Sequence, residues 1–238
     1  MPGVSDSFLP LIVATVAFVA SHFVLSATPV RGRLVRAASE PVFLIGYSLV
    51  AFATFGWMCV AYARAPFEDL WGDPLWARWL AVLVMPLATV LLVAGLSTAN
   101  PATVGMGRLL AEGRSPVGIQ KVSRHPMMVA LALWAALHLL ANGDEASLIL
   151  FGGMLVLALG GIAHIEARRR AIGGANWQRF AAASSVVPFA AIAAGRARVT
   201  LGEIGWNRIA AGIVLYFILL FGHRLVIDVP LLPGLFRH

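Results

Sequence analysis

The chain has 238 residues, 60% of them apolar and 12% charged, with a mean hydropathy of +0.85, which excludes a soluble globular domain and implies an integral membrane protein. The formal charge of +7 does not argue for nucleic acid, because the arginines fall in short loops between apolar runs, where they orient helices and meet anionic lipid. One cysteine, Cys59, excludes an intramolecular disulfide and a Cys-x-x-Cys-His attachment site for c-type haem.

The expected class is all-α: a polytopic helical bundle of about six membrane helices plus an interfacial or re-entrant segment, treated as a single domain over 1–238. The first span is expected at 8–27, with only Asp6 before it, so a cleaved signal peptide is not expected. Thr15, His22 and Ser26 recur on one helix stripe, a face for protein and not for lipid. Pro29 and the cluster Arg31, Arg33 and Arg36 follow. A second span at 42–62 carries Tyr47 and Thr54 on one face and leads to an acidic loop with Glu68, Asp69 and Asp73. The third, at 75–97, contains Pro86, tolerable where a neighbour satisfies the carbonyl that proline frees.

Residues 98–124 form a basic, glycine-rich loop. A short fourth span, 126–140, opens at Pro126 and closes at the turn Asn142-Gly143. Asp144 is expected to cap a fifth span at 145–165, antiparallel to the fourth, with Gly152, Gly153, Gly160 and Gly161 offering surfaces for close helix contact. The run 180–194, broken by Pro188, is too short to span, and the last span is 206–227. Basic loops after spans one, three and five place both termini on the non-cytoplasmic side.

Six histidines carry the chemistry. An imidazole within the bilayer is costly unless paired or liganded, and so marks a functional site. His125 and His164 lie at the inner interface, His223 adjoins Arg224 at the outer edge, and His238 is terminal. His22 and His138 sit inside apolar runs, where hydrogen bonding to a neighbouring helix and a bis-histidine haem are about equally good explanations. Met127, Leu131, Trp134 and His138 share one helix face, which suits ordinary packing or the wall of a flat cofactor. Counted from the cytoplasmic arginines, His22 stands roughly 13 Å up and His138 roughly 21 Å. The pair His138 and His223 matches better in depth but brings one ligand near water, so both pairings stay open.

Arg-His-Pro at 124–126, W-x-x-x-H-L-L-A-N-G-D from Trp134 and S-L-I-L-F-G from Ser147 together resemble the NnrU family. The likeness extends to His22 with PVRGRL, to YSLVAF from Tyr47, and to PFAAIAAGR from Pro188. The family is similar to the 15-cis-zeta-carotene isomerase, a membrane enzyme with haem b, and is named from genes near nitrite and nitric oxide reductases. The resemblance therefore implies haem b in a bacterial inner membrane, with His22 and His138 as axial ligands and metal-binding residues. Trp134 and the Arg-His-Pro histidine, His125, stand as further cofactor-binding residues. Two functions follow: redox or ligand-exchange chemistry serving denitrification, with a nitrogen-oxide species as partner, or isomerisation of an apolar carotenoid entering from membrane lipid. Arg-His-Pro also opens a helix in isoprenylcysteine methyltransferases, but Met127 and Met128 stand where those enzymes usually show tyrosine. A structural membrane protein without cofactor is the remaining class. No catalytic residue and no redox partner is indicated.

Overall fold

Prolines start most of the long helices, and short polar or glycine segments stop them. A computed structural model describes residues 7–102 and 107–227, so Asp6 and His238 lie outside the described residues. The described chain groups into two compact units: residues up to Pro74 with His138–Leu157, and Leu75–Leu137 with the residues from Ala158 onward.

The first unit begins with α1, Leu9–Ser26, whose second residue is Pro10. It ends at Ala27, which is extended at φ −57° and ψ 131°. The basic stretch expected as a loop is a helix, α2, Thr28–Ala38. Pro29 occupies its first turn, where a missing N–H costs nothing, and its arginines, too polar to cross a bilayer, favour a helix at its surface. Arg31 there pairs with Glu40 and covers the Phe43 ring at 5.4 Å. Ser39 turns the chain at φ 79° into α3, Glu40–Ala63, which runs back along α1 with Phe18 against Phe55.

At the far end of this unit a two-stranded ribbon joins β1, Asp69–Gly72, to β2, Gly143–Asp144. β2 is the turn between α7, Pro126–Ala141, and α8, Glu145–Ile172. Gly143 is required there, since a Cβ would run into the Gly72 backbone and the Trp71 ring. Asp144 caps α8 as expected, its Oδ1 accepting from Ser147 N–H at 2.8 Å. Tyr62 of α3 shares a hydrogen bond of 2.9 Å with Ser147, and Gly153 lies so close to α1 that a Cβ would collide with the Thr15 methyl.

In the second unit α4, Leu75–Ser97, packs along α12, Trp206–Ile227. The contact is close because a Cβ on Gly212 would fall within 3.0 Å of the Val90 backbone. Pro86 sits inside α4 and cannot donate to the carbonyl four residues before it. That carbonyl, Val82 O, accepts from the Tyr216 hydroxyl of α12 at 3.0 Å. The interhelical bond is the compensation that a spanning proline needs. Short helices α5, Gly107–Ala111, and α6, Ile119–Val122, fill the basic loop, with Ile119 and Val122 joining Leu91, Val129, Ile162 and Ile204 in the core. Gly161 on α8 faces Met128 on α7.

α8 continues seven residues past the expected end at 165. Glu, Ala and Arg are good helix formers, and arginines in the last turn complement the helix dipole. After α8 come α9, Gly174–Ala182, the single turn α10, Ala190–Ala193, and α11, Leu201–Ile204; none of them, and nothing else in 180–194, is long enough to span. Among the described residues six apolar helices therefore stand where six were expected. Five have the length of a membrane span, and α7, with sixteen residues, is shorter.

Outside the spans, Glu203 takes Lys121 Nζ at 2.6 Å and the Gly118 N–H at 3.2 Å. Lys121 beside it holds the carboxyl below the usual carboxylate range. A lowered folded pKa adds stability above the unfolded value, about 4.3, that is lost as pH falls through the folded one. Protection of the Gly118 amide, measured relative to the intrinsic exchange rate at each pH, is expected to fall as acid protonates Glu203, and Glu203→Gln to remove that step; an unchanged step in the variant would refute the link. Tyr216→Phe should lower thermal stability in detergent by about 1–3 kcal/mol, the cost of leaving Val82 O unsatisfied, and an unaltered melting point would show that the bond carries none of it.

Candidate functional site

His22 and His138 both belong to the first unit. His22 lies on α1 between two aromatic rings, Phe18 at 4.5 Å and Tyr47 of α3 at 5.4 Å between centroids. Its Nδ1 is 2.7 Å from the carbonyl oxygen of Phe18. A carbonyl only accepts, so Nδ1 carries the hydrogen, and in the neutral ring Nε2 has the lone pair. This is the tautomer a metal needs, oriented by the hydrogen bond that usually supports a ligating histidine. His138, in the last turn of α7, packs on Phe151 of α8 at 4.8 Å, and Phe151 in turn meets Tyr62 at 6.4 Å.

The helix register relates the two imidazoles. Thr15 faces Gly153, and Tyr62, on α3, holds Ser147. With α3 antiparallel to α1, both pairs place α8 parallel to α1, and the Thr15–Gly153 contact sets an offset of about 138 residues. Phe151 then stands level with residue 13 of α1, nine residues from His22, or about 14 Å along the axis. A Cα–Cβ bond leans toward the N-terminus of its helix. His22 therefore leans up α1 toward the level of Phe151, and His138, on a helix running the other way, leans down toward the level of His22. The two Cα–Cβ bonds thus lean toward each other along the helix axis, with Phe18 and Tyr47 flanking His22 and Phe151 flanking His138. The His22 hydrogen bond and the opposed leaning are compatible with a haem that the two imidazoles would hold.

The other two expected residues lie in the second unit. Trp134, one turn before His138 on α7, is half-buried. His125 is buried, and its Nε2 is 2.7 Å from Glu166 Oε1. Facing a carboxylate, that nitrogen carries the hydrogen and has no lone pair to give a metal.

Glu166 organises a buried ion network that sequence reasoning did not single out. Arg124 clamps it in a fork, Nε to Oε1 at 2.7 Å and Nη2 to Oε2 at 2.9 Å, and lies over the Trp177 ring at 5.8 Å. The same arginine gives Nη1 to Ser184 O and its backbone N–H to Ser185 O. Its own carbonyl accepts from Asn100 Nδ2 at 2.9 Å, and neighbouring Ser123 donates to Val186 O at 2.8 Å. Arg124 and Ser123 thus tie two loop segments, at Asn100 and at residues 184–186, to α8 at the start of α7. Glu166 could have been found from the hairpin turn: folding α7 onto α8 about residues 142–144 brings the start of one helix beside the last acid of the other. Tyr47 was legible as part of a polar face, but Phe18 and Phe151 carried no distinguishing signal among so many apolar residues. Among the described residues no group of three or more His, Cys, Asp or Glu gathers to hold a bare metal ion.

The family model described as NnrU protein matches residues 10–231. No curated protein and no solved structure matches the chain.

Removing the charge of Glu166 leaves Arg124 and His125 buried beside a neutral partner. Glu166→Gln is expected to cost about 3–5 kcal/mol, read as a lowered unfolding temperature in detergent; a wild-type melting curve would contradict the ionic account.

Proposed function

Since the chain belongs to the NnrU family, we propose that it is a membrane protein that holds haem b between His22 and His138 and serves nitrogen-oxide metabolism in a bacterial inner membrane. The observation that carries this reading is the His22 imidazole, fixed through Nδ1 on Phe18 O so that Nε2 keeps its lone pair, with His138 leaning into the same interval from the opposite helix direction. When bound, haem b would supply one-electron exchange or ligand exchange at its iron.

The residues around it have simpler tasks. Phe18, Tyr47 and Phe151 offer flat apolar faces to a planar ring and keep water from it. Gly153 lets α8 approach α1, which sets the height of Phe151 and so of His138. Basic Arg31, Arg33 and Arg36, and later Arg168, Arg169 and Arg170, mark the cytoplasmic side and leave both termini opposite.

Protein produced with ample haem and purified in detergent is expected to show a Soret band that is lost in both His22→Ala and His138→Ala and kept in His223→Ala. Colourless wild-type protein would sink the proposal, and a band that survives in His22→Ala would move the ligand to His223.

A further inference from the structure

Hydroxyl side chains inside spanning helices usually return their hydrogen to their own helix. Thr54 donates to Val50 O at 2.7 Å, Thr89 to Pro86 O at 3.0 Å, Ser21 to Phe18 O at 2.9 Å and Ser97 to Val93 O at 2.7 Å. Thr15 does not. It is 6% exposed, and its Oγ1 is the one buried hydroxyl among the described residues without a hydrogen-bond partner. An unanswered buried hydroxyl is costly, and more so where no water reaches, so its persistence calls for an explanation.

Its position supplies one. Thr15 lies seven residues before His22, two turns along the same stripe of α1. In the helix register it falls between the level of Phe151, at residue 13, and His22, the interval toward which both imidazoles lean. Its methyl group faces Gly153, so the close contact of α1 with α8 limits how the side chain can turn.

We propose that the Thr15 hydroxyl donates a hydrogen bond to an acceptor atom of the group held between His22 and His138. The inference rests on the haem reading given above. It goes beyond that reading by assigning a polar contact in an otherwise apolar site. The acceptor is an oxygen or nitrogen with a free lone pair, and two sources offer one: a propionate of haem b, or a small nitrogen- or oxygen-containing ligand that replaces one of the two imidazoles on the iron.

Thr15→Val keeps the shape and removes the donor, and Thr15→Ser keeps the donor. In the ligand-free full-length protein Thr15→Val is expected to raise the melting temperature, because the unanswered hydroxyl is gone; a fall would overturn the proposal. Haem b is then titrated into each protein, and carbon monoxide is added to the reduced, haem-loaded forms. Haem affinity weakened roughly five- to tenfold in Thr15→Val and restored in Thr15→Ser would assign the acceptor to the propionate. Unchanged haem affinity with a shifted carbon monoxide stretching frequency would assign it to the small ligand. If wild type binds haem and the valine variant alters neither reading, the inference is overturned and the haem reading stands. If wild type binds no haem, the haem reading fails and this inference with it.

Discussion

Hydrocarbon offers no hydrogen bonds, so a chain that lives in it must answer each polar group from within. That constraint accounts for the contacts that matter most. Pro86 leaves Val82 O bare, and Tyr216 reaches it from another helix. Arg124 brings three guanidinium nitrogens and its backbone N–H to the start of α7, and Glu166 with two loop carbonyls receives them. His22 turns Nδ1 back onto Phe18 O. In each case a polar side chain is held in one geometry because no solvent competes for it. Positions of this kind are the ones at which a mostly apolar bundle can specify a site.

Much of the fold was legible in the sequence because length and punctuation decide spanning helices. Apolar runs gave the six helices, Asn142-Gly143-Asp144 gave the hairpin, and Asp144 did cap α8. Thr28–Ala38 was not legible as a helix, because its arginines point to an interface without saying whether the backbone there coils. The extension of α8 to Ile172 is hidden for the opposite reason: the apolar run ends before the helix does. Propensity and the helix dipole, not hydropathy, carry those last turns.

The histidines show where sequence reasoning stops. Single-helix depth counting from the loops separated His22 and His138 by about 8 Å and left their directions unknown. The contacts Thr15–Gly153 and Tyr62–Ser147 supply a common ruler, and the antiparallel hairpin supplies the opposed leaning. His125 shows the reverse. Its motif was plain in the sequence, yet only its neighbour across the hairpin, Glu166, reveals that Arg-His-Pro binds loops to a helix. Local pattern names residues, but their partners come from pairing between segments far apart in the chain.

The sixteen residues of α7 amount to about 24 Å of helix, short of the roughly 30 Å of hydrocarbon in a typical bilayer. A lipid-facing helix of that length would draw the two leaflets together at some cost per ångström of mismatch. α7 avoids most of that, since along its whole length only Leu140 is exposed. Its deficit is made up at the Arg124 end by irregular backbone whose polar groups are answered by protein, the form in which non-helical chain is tolerated at membrane depth. The short helix thus shifts the problem of bilayer thickness from lipid deformation to loop chemistry, and the longer helices α3, α4 and α8 set the thickness that the protein presents to its membrane.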